Sequence, residues 1–314
     1  MRNRSLHNAR KEKNDEFKTS LSDIEKEISH YPKNQFKDKV ILCNCNDSPD
    51  SNFFRYFFYR FKKLGLKKLI GISYVEKLMK LDMTIPPPNN AEVFEFSGSK
   101  GRMPSQKDIT ITPLKDFGEF DSLECINFLK QADIVVTNPP FSRFVEYMTL
   151  LFKYKKKFLI MGKTDKIMIS GVWENFKNGN VWPGYNYNET CSFIIPPSYE
   201  KYSKMIDGIK YGEVPGIMWF TNLTHKRINR SLILVKKYYG NEKDYPKYDN
   251  IDAIEVSKVK LIPEDYYGVI GVPITFIGSW NPSQFEIVGG EKLNTFIDGK
   301  ETYRRILIKR KDKK

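Results

Sequence analysis

Residues 133–144 read DIVVTNPPFSRF. Ile134-Val135-Val136 is a short apolar run of the kind that forms a buried strand. It stops on Asn138-Pro139-Pro140-Phe141, a tetrapeptide that continues neither a helix nor a sheet. Both prolines fix φ and donate no N–H, so the backbone there is stiff and its carbonyls face outward. In open α/β sheets ligands sit beyond the carboxyl ends of the strands, and Asn138 falls at such an end. The Asn138 side-chain oxygen and the Pro139 carbonyl are therefore candidate acceptors for the two hydrogens of a single exocyclic NH2 group.

Working outward, strand-like and helical patterns alternate. Thr19 to Tyr31 reads as a helix with Leu21, Ile24, Ile28 and Tyr31 on one face, and Ser22 with Glu25 is a candidate capping box. KVILC at 39–43 is a buried-strand pattern, followed by the turn NDSPDS and the helix NFFRYFFYRFKKL, with Ser51 as its N-cap. The aromatic density of that helix is expected to be core. KLIGISY at 68–74 and residues 91–96 are further strands, 97–108 a mobile polar loop, and 124–130 a short helix. After the opening stretch, 143–153 is an amphipathic helix and KFLIM at 157–161 another strand. This alternation predicts an α/β doubly wound sheet. Near Val181 Gly, Pro, Asn and Tyr become frequent and helical periodicity fades, with short strand patterns at 216–221 and 269–277. Residues 184–314 therefore read as a second, less regular module after a first one at 15–183, with 1–14 a flexible basic arm.

The acceptor pair suits methylation of an amino group conjugated to a ring or carbonyl. Such a nitrogen is a poor nucleophile because its lone pair is delocalised. Two fixed acceptors on its hydrogens favour a more tetrahedral nitrogen and aim the lone pair at an electrophilic methyl, which stabilises the transition state more than the ground state. No base is needed before attack, since the nitrogen becomes acidic only once it carries the new methyl. Phe141 offers a face on which a base extruded from a duplex can stack. Asn-Pro-Pro-aromatic arises by chance in roughly one chain of several hundred at this length. The tetrapeptide alone leaves two substrates open, adenine and a protein glutamine amide.

Composition narrows the partners. Of 314 residues, 52 are Lys or Arg against 38 Asp or Glu, a net charge of +14 that suits a polyanion. No signal-peptide pattern is visible, and the most apolar window, 266–280, is too short for a bilayer and is broken by Gly268, Gly271 and Pro273. Four cysteines without a CxxC spacing and three scattered histidines predict neither a disulfide framework nor a metal site. A cytoplasmic protein with no membrane partner is the expectation.

The sequence resembles the EcoRI-type adenine-specific DNA methyltransferases. The likeness is carried by DEFKT at 15–19, KVILCNCND at 39–47 with SNFF at 51–54, and LGLKKLI at 64–70. It continues through QADIVVTNPPF at 131–141, MWFTNL at 218–223, YPKYDNIDAI at 245–254 and PEDYYGVIGVPITFIGSWNPSQFEIV at 263–288. The resemblance implies a Rossmann-like class I methyltransferase sheet using S-adenosylmethionine (AdoMet), with 15–183 catalytic and 184–314 a target-recognition region. It implies adenine-N6 methylation of double-stranded DNA within a restriction–modification system, GAATTC being the suggested site and a cognate endonuclease a functional partner. Carried over, Asn138, Pro139, Pro140 and Phe141 bind the target adenine. Phe17 and Thr19 line the cofactor site, and Asn44, Asp47 and Ser51 surround its methionine end, the helix start at Ser51 favouring the carboxylate. Glu76 is the candidate for the ribose hydroxyls and Asp116 for the cofactor's adenine.

Two departures matter. The turn NDSPDSN carries no glycine, as in the EcoRI-type family. Lys18 stands where members usually have tyrosine in DEFYT, which lowers cofactor affinity if that position packs on AdoMet and changes nothing if it faces outward. The rivals are a glutamine-N5 protein methyltransferase, which leaves the charge and the C-terminal blocks unexplained, and an inactive DNA-binding relative. Phosphate contacts are expected from Arg2, Arg4, Arg10 and Lys11 and from the tail at 301–314, while base-reading residues are not identifiable.

Overall fold

The computed structural model describes residues 18–45, 49–75, 91–99, 104–187, 189–195, 202–228, 230–290 and 293–311. In chain order its elements begin with β1 (Lys18–Thr19), α1 (Leu21–Ile28), β2 (Val40–Cys43), α2 (Asn52–Leu64), β3 (Lys68–Ile72), β4 (Glu92–Phe96) and β5 (Thr110–Pro113). Then come α3 (Leu123–Gln131), β6 (Ile134–Thr137), α4 (Phe144–Lys153), β7 (Lys157–Lys163), α5 (Val172–Lys177) and β8 (Trp182–Pro183). The strands β9 (Ser192–Ile194), β10 (Lys204–Ile206), β11 (Ile209–Glu213) and β12 (Ile217–Thr221) follow. The remainder is β13 (Ala253–Glu255), β14 (Val269–Pro273), β15 (Phe285–Gly289), β16 (Phe296–Ile297), β17 (Lys300–Glu301) and β18 (Arg305–Arg310).

The chain divides into two compact units. The first holds Met1–Thr164 and Glu189–Leu223, the second Asp165–Asn188 and Thr224–Lys314. Residues 189–223, which lie beyond the composition boundary at 184, thus pack with the first unit.

The larger sheet of the first unit is mixed, in the order β5-β4-β3-β2-β6-β7-β12. β3, β2, β6 and β7 are parallel, while β4, β5 and β12 run antiparallel to their neighbours at the two sides. The parallel strands are apolar on both faces because helices cover both. On one face α1 and α2 bury Ile24, Ile28, Phe53, Phe57 and Phe61 with Ile41, Leu69 and Val136 of the strands. On the other, Phe144 of α4 lies 4.8 Å from Phe220 of β12, centroid to centroid, and close against Gly162 of β7, where a Cβ would meet its ring at 2.3 Å. The aromatics of α2 are core apart from the exposed Tyr59, with Phe53, Phe54, Phe57 and Phe58 at 5% exposure or less.

Local chemistry sets the helix ends. Ser51 caps α2, its Oγ accepting from the Phe53 N–H, and Gly65 closes it in the left-handed conformation. α1 is capped by Ser20, whose Oγ accepts from Asp23 N–H, and not by a Ser22–Glu25 box. Glu25 is instead drawn to Arg60 of α2 as an ion pair, while Asp23 accepts from the Ser192 N–H. Residues 105–108 of the polar segment form a capped turn, Ser105 and Asp108 satisfying each other's backbone donors.

In the first unit's smaller sheet the order is β1-β9-β11-β10. The second unit is built on the sheet β13-β14-β18-β15. Arg305 of β18 holds Glu255 of β13 through Nε (2.8 and 3.0 Å) and Nη2 (2.5 Å), and Tyr248 donates to the same carboxylate. This part of the basic tail, expected at phosphates, is therefore structural: the Arg305 side chain is 12% exposed and its charge is spent on Glu255. The arm at 1–14 lies outside the described residues.

Candidate functional site

Parallel strands end at one edge, so β2, β3 and β6 deliver Asn44, Ser73 and Asn138 to the same side of the sheet. Leu42 is in register with Val135, which sets Asn44 beside Thr137. The Thr137 hydroxyl donates to the Asn44 carbonyl. Tyr147, from the helix that follows the Asn-Pro-Pro-Phe loop, donates to the Asn44 side-chain oxygen. Asn44 thus ties the end of β2 both to β6 and to α4. Tyr147 is fully buried, and burial holds its phenol well above its ordinary pKa, so it stays a neutral donor at any working pH.

The loop itself is closely held. Asn138 is 9% exposed, with its carboxamide oxygen buried, and Pro139 is buried while Pro140 is half-buried. Pro140 has φ −54° and ψ 122°, turning the chain into one tight turn at Phe141–Arg143. Phe141 is 7% exposed, and Lys163 Nζ sits 5.7 Å above its ring centroid. A base stacking on Phe141 has to take the place of such neighbours.

Arg143 fastens the loop from outside. Its Nε donates to Glu146 (2.8 Å), its Nη2 to Asp121 (2.6 Å) and its Nη1 to Glu119 (3.3 Å), and the guanidinium lies 4.3 Å over the Phe120 ring. Phe120 in turn packs edge-on against Tyr147 at 4.9 Å. Sequence reading missed both Arg143 and Tyr147, since Glu119, Asp121 and Asn44 reach them only through the fold. Arg143→Met keeps the apolar stem over Phe120 and removes three carboxylate partners. Because these groups are partly exposed, stability should fall by only about 1 kcal/mol, while loosening the loop should lower kcat about tenfold. Single-turnover rates with an unchanged kcat would rule out this positioning role.

Of the cofactor-side candidates, Thr19, Asn44, Ser51 and Asp116 fall among the described residues. Thr19 is buried, its hydroxyl donating to Met161 Sδ at 3.2 Å and its carbonyl accepting from Asn52 Nδ2 at 2.8 Å. It is thereby fixed to the first residue of α2, next to the cap Ser51. Lys18, its strand neighbour, is exposed on the opposite face, which fits the outward alternative for that position. Asp116 Oδ1 accepts from the Gly118 N–H at 3.0 Å. Its loop is joined to the end of β3 by the Val75 N–H donating to the Phe117 carbonyl. Phe17, Asp47 and Glu76 lie outside the described residues.

The donor set fits AdoMet in character. The first turn of a thirteen-residue helix suits its carboxylate, and the Asp116 carboxylate, with one oxygen committed to Gly118, suits an amino group. Among the described residues no group of three metal-ligating side chains occurs, and no helix is long and apolar enough to cross a membrane.

A stiff acceptor loop and a helix N-terminus, meeting where parallel strands end, define an α/β enzyme with its chemistry at the strand ends. Residues 5–313 match the family described as adenine-specific methyltransferase EcoRI, and the chain belongs to that family. It is 44% identical to the Type II methyltransferase M.EcoRI of Escherichia coli, over 98% of this chain and 97% of the relative. It is 39% identical to M.MgeORF184P of Mycoplasma genitalium, over 97% and 98% of the two chains. A third relative, M.MpnI of Mycoplasma pneumoniae, is 41% identical over 90% and 84%. No solved structure matches the chain.

Proposed function

We propose that this chain transfers a methyl group from AdoMet to N6 of an adenine turned out of duplex DNA, on a Rossmann-like class I scaffold. Site-specific methylation of DNA adenine is the activity of the family to which it belongs. The observation that carries the mechanism is the Asn138-Pro139-Pro140-Phe141 loop, fixed at the end of β6 and tied through Asn44 to the end of β2.

AdoMet, when bound, supplies a methyl on a sulfonium, the electrophile. The Asn138 side-chain oxygen and the Pro139 carbonyl accept the two N6 hydrogens and rotate the lone pair out of conjugation. Phe141 gives the ring a flat contact. Thr19 lines the cofactor site, Asn44, Asp47, Ser51 and the start of α2 surround the methionine end, and Asp116 takes the adenine end. The proton leaves only after transfer, when the methylated nitrogen is strongly acidic, so water suffices to accept it. The basic balance of +14 supports a DNA substrate and sets aside glutamine in a protein. The intact loop sets aside an inactive relative.

A single assay tests this reading. The protein is incubated with methyl-labelled AdoMet and duplex DNA, and the DNA is digested to nucleosides. Label is expected in N6-methyladenine; label in protein, or none, would sink the proposal. Protection of GAATTC from its nuclease would identify the site, and the family suggests that a cognate endonuclease is a partner by function.

A further inference from the structure

Turning a base out of a duplex leaves a gap in the stack, and the loop at 138–141 contains nothing that fills it from the DNA side. Among the described residues of the first unit, the hairpin β10–β11 presents an exposed aliphatic tip. Its Lys204↔Tyr211, Met205↔Lys210 and Ile206↔Ile209 pairs are antiparallel, joined by a two-residue turn with both φ positive, 49° at Asp207 and 77° at Gly208. A type I′ turn of this kind matches strand twist and gives a narrow, rigid ribbon. At its tip the apolar pair Ile206 and Ile209 is 48% and 43% exposed, and Met205 is 48% exposed. An aliphatic pair flanking a turn at the far end of a ribbon contributes nothing to the core described above.

What stands behind the tip is cationic. Lys204 Nζ lies 5.5 Å from the Tyr211 ring centroid, and Lys210 Nζ 5.5 Å from that of Tyr202. Each ammonium is pinned on an aromatic face and so needs little further ordering to meet a phosphate. Asp207 at the turn is repelled by phosphates and favours the base edges. Apolar tip, acidic turn and two pinned lysines together complement a groove whose rims are phosphates and whose floor is bases. A two-stranded ribbon has the width to enter it, and aliphatic wedges are what proteins use to part a base step.

The ribbon is also wired to the site. β11 pairs with β9, β9 with β1, and Thr19 of β1 is bonded to Asn52 and Met161. We propose that the β10–β11 hairpin enters duplex DNA beside the target adenine, Ile206 and Ile209 taking the space the base vacates and Lys204 and Lys210 neutralising the flanking phosphates. This rests on the DNA-adenine reading above.

The test uses the full chain carrying I206S and I209S together, with the turn and the lysines kept. Three substrates are compared: a paired duplex, the same duplex with an abasic nucleotide opposite the target adenine, and one with 2-aminopurine at the target. On paired DNA kcat/KM should fall about 30-fold, since unstacking and unpairing the target lose their compensation. The rise in 2-aminopurine fluorescence should be lost. On the abasic duplex, where pairing is already absent, the rate should return to within about threefold of wild type on the same duplex. K204A with K210A should reduce the salt slope of DNA binding by about 2. An equal fall on paired and abasic DNA, or no fall on either, overturns the proposal. So does a change in self-association with both DNA readouts intact, which would mark a face for a second copy. Wild-type transfer in the same assay reports on the function itself, so the two ideas fail separately.

Discussion

Asn138→Ala should abolish methyl transfer while leaving DNA binding nearly intact. The carboxamide oxygen is one of two acceptors proposed for the N6 hydrogens, and it is held in place by buried neighbours on a backbone that two prolines stiffen. A preorganised hydrogen-bonding group aimed at the position of developing charge is worth about 3 to 4 kcal/mol, so kcat should drop by roughly a hundredfold to a thousandfold. Affinity for duplex DNA comes chiefly from phosphate contacts, so Kd should change by less than about threefold. Single-turnover methylation with filter binding measures both. A variant that stays within about tenfold of wild-type kcat would show that the Pro139 carbonyl suffices and that Asn138 has another role.

Gly118→Ala should produce the largest structural loss of any single methyl addition near the site. Gly118 has φ +73°, and a Cβ there would lie 2.0 Å from the Ser73 carbonyl oxygen and 2.9 Å from the Ala91 Cβ. Backbone cannot swing aside as a flexible side chain can, so the loop and the end of β3 must separate. The left-handed conformation alone costs about 1 kcal/mol for alanine. The forced displacement should bring the total to about 3 kcal/mol or more. Gly216→Ala is the matched control, with φ +75° and nothing within 4 Å of a Cβ, and should show only the conformational part. Because the Gly118 N–H is the donor that fixes Asp116, AdoMet affinity should fall about tenfold or more in Gly118→Ala. Urea unfolding and calorimetric titration of both variants settle the point. Equal stability losses in the two would mean that the contact with Ser73 is relieved at no cost.

The parts of this fold that could be read from the sequence are those whose signal is local. β2, β6 and β7 are unbroken apolar runs, and α2 combines a serine cap, an aromatic stripe and a closing glycine. β5 is hard to read because all four of its residues are exposed and its Ile-Thr alternation is short and ends at Pro113. The doubly wound expectation holds for the four central strands, but the antiparallel additions at both sides depend on pairing with distant segments. The cap of α1 was misplaced by two residues, because the competition for Glu25 came from Arg60 on another helix. At the site, the proline-stiffened loop announces itself within four residues. The clamp at Arg143 does not, since Glu119 and Asp121 reach it only through the fold.

The pairing of β1 with β9 bears on how the protein is born. Thr19 is in register with Phe193, and the first unit also needs β12, whose last residue is Thr221. β1 is made before the larger sheet, yet its strand partner follows that sheet up to β7 and residues 165–188 of the second unit. Contacts so distant in the chain form late, because loop closure must precede any gain from pairing. A nascent chain that has already made the Asn-Pro-Pro-Phe loop therefore still lacks the β9 strand that pairs with Thr19. The β1–β9 pairing is thus a long-range closure that cannot form before Phe193 has been made.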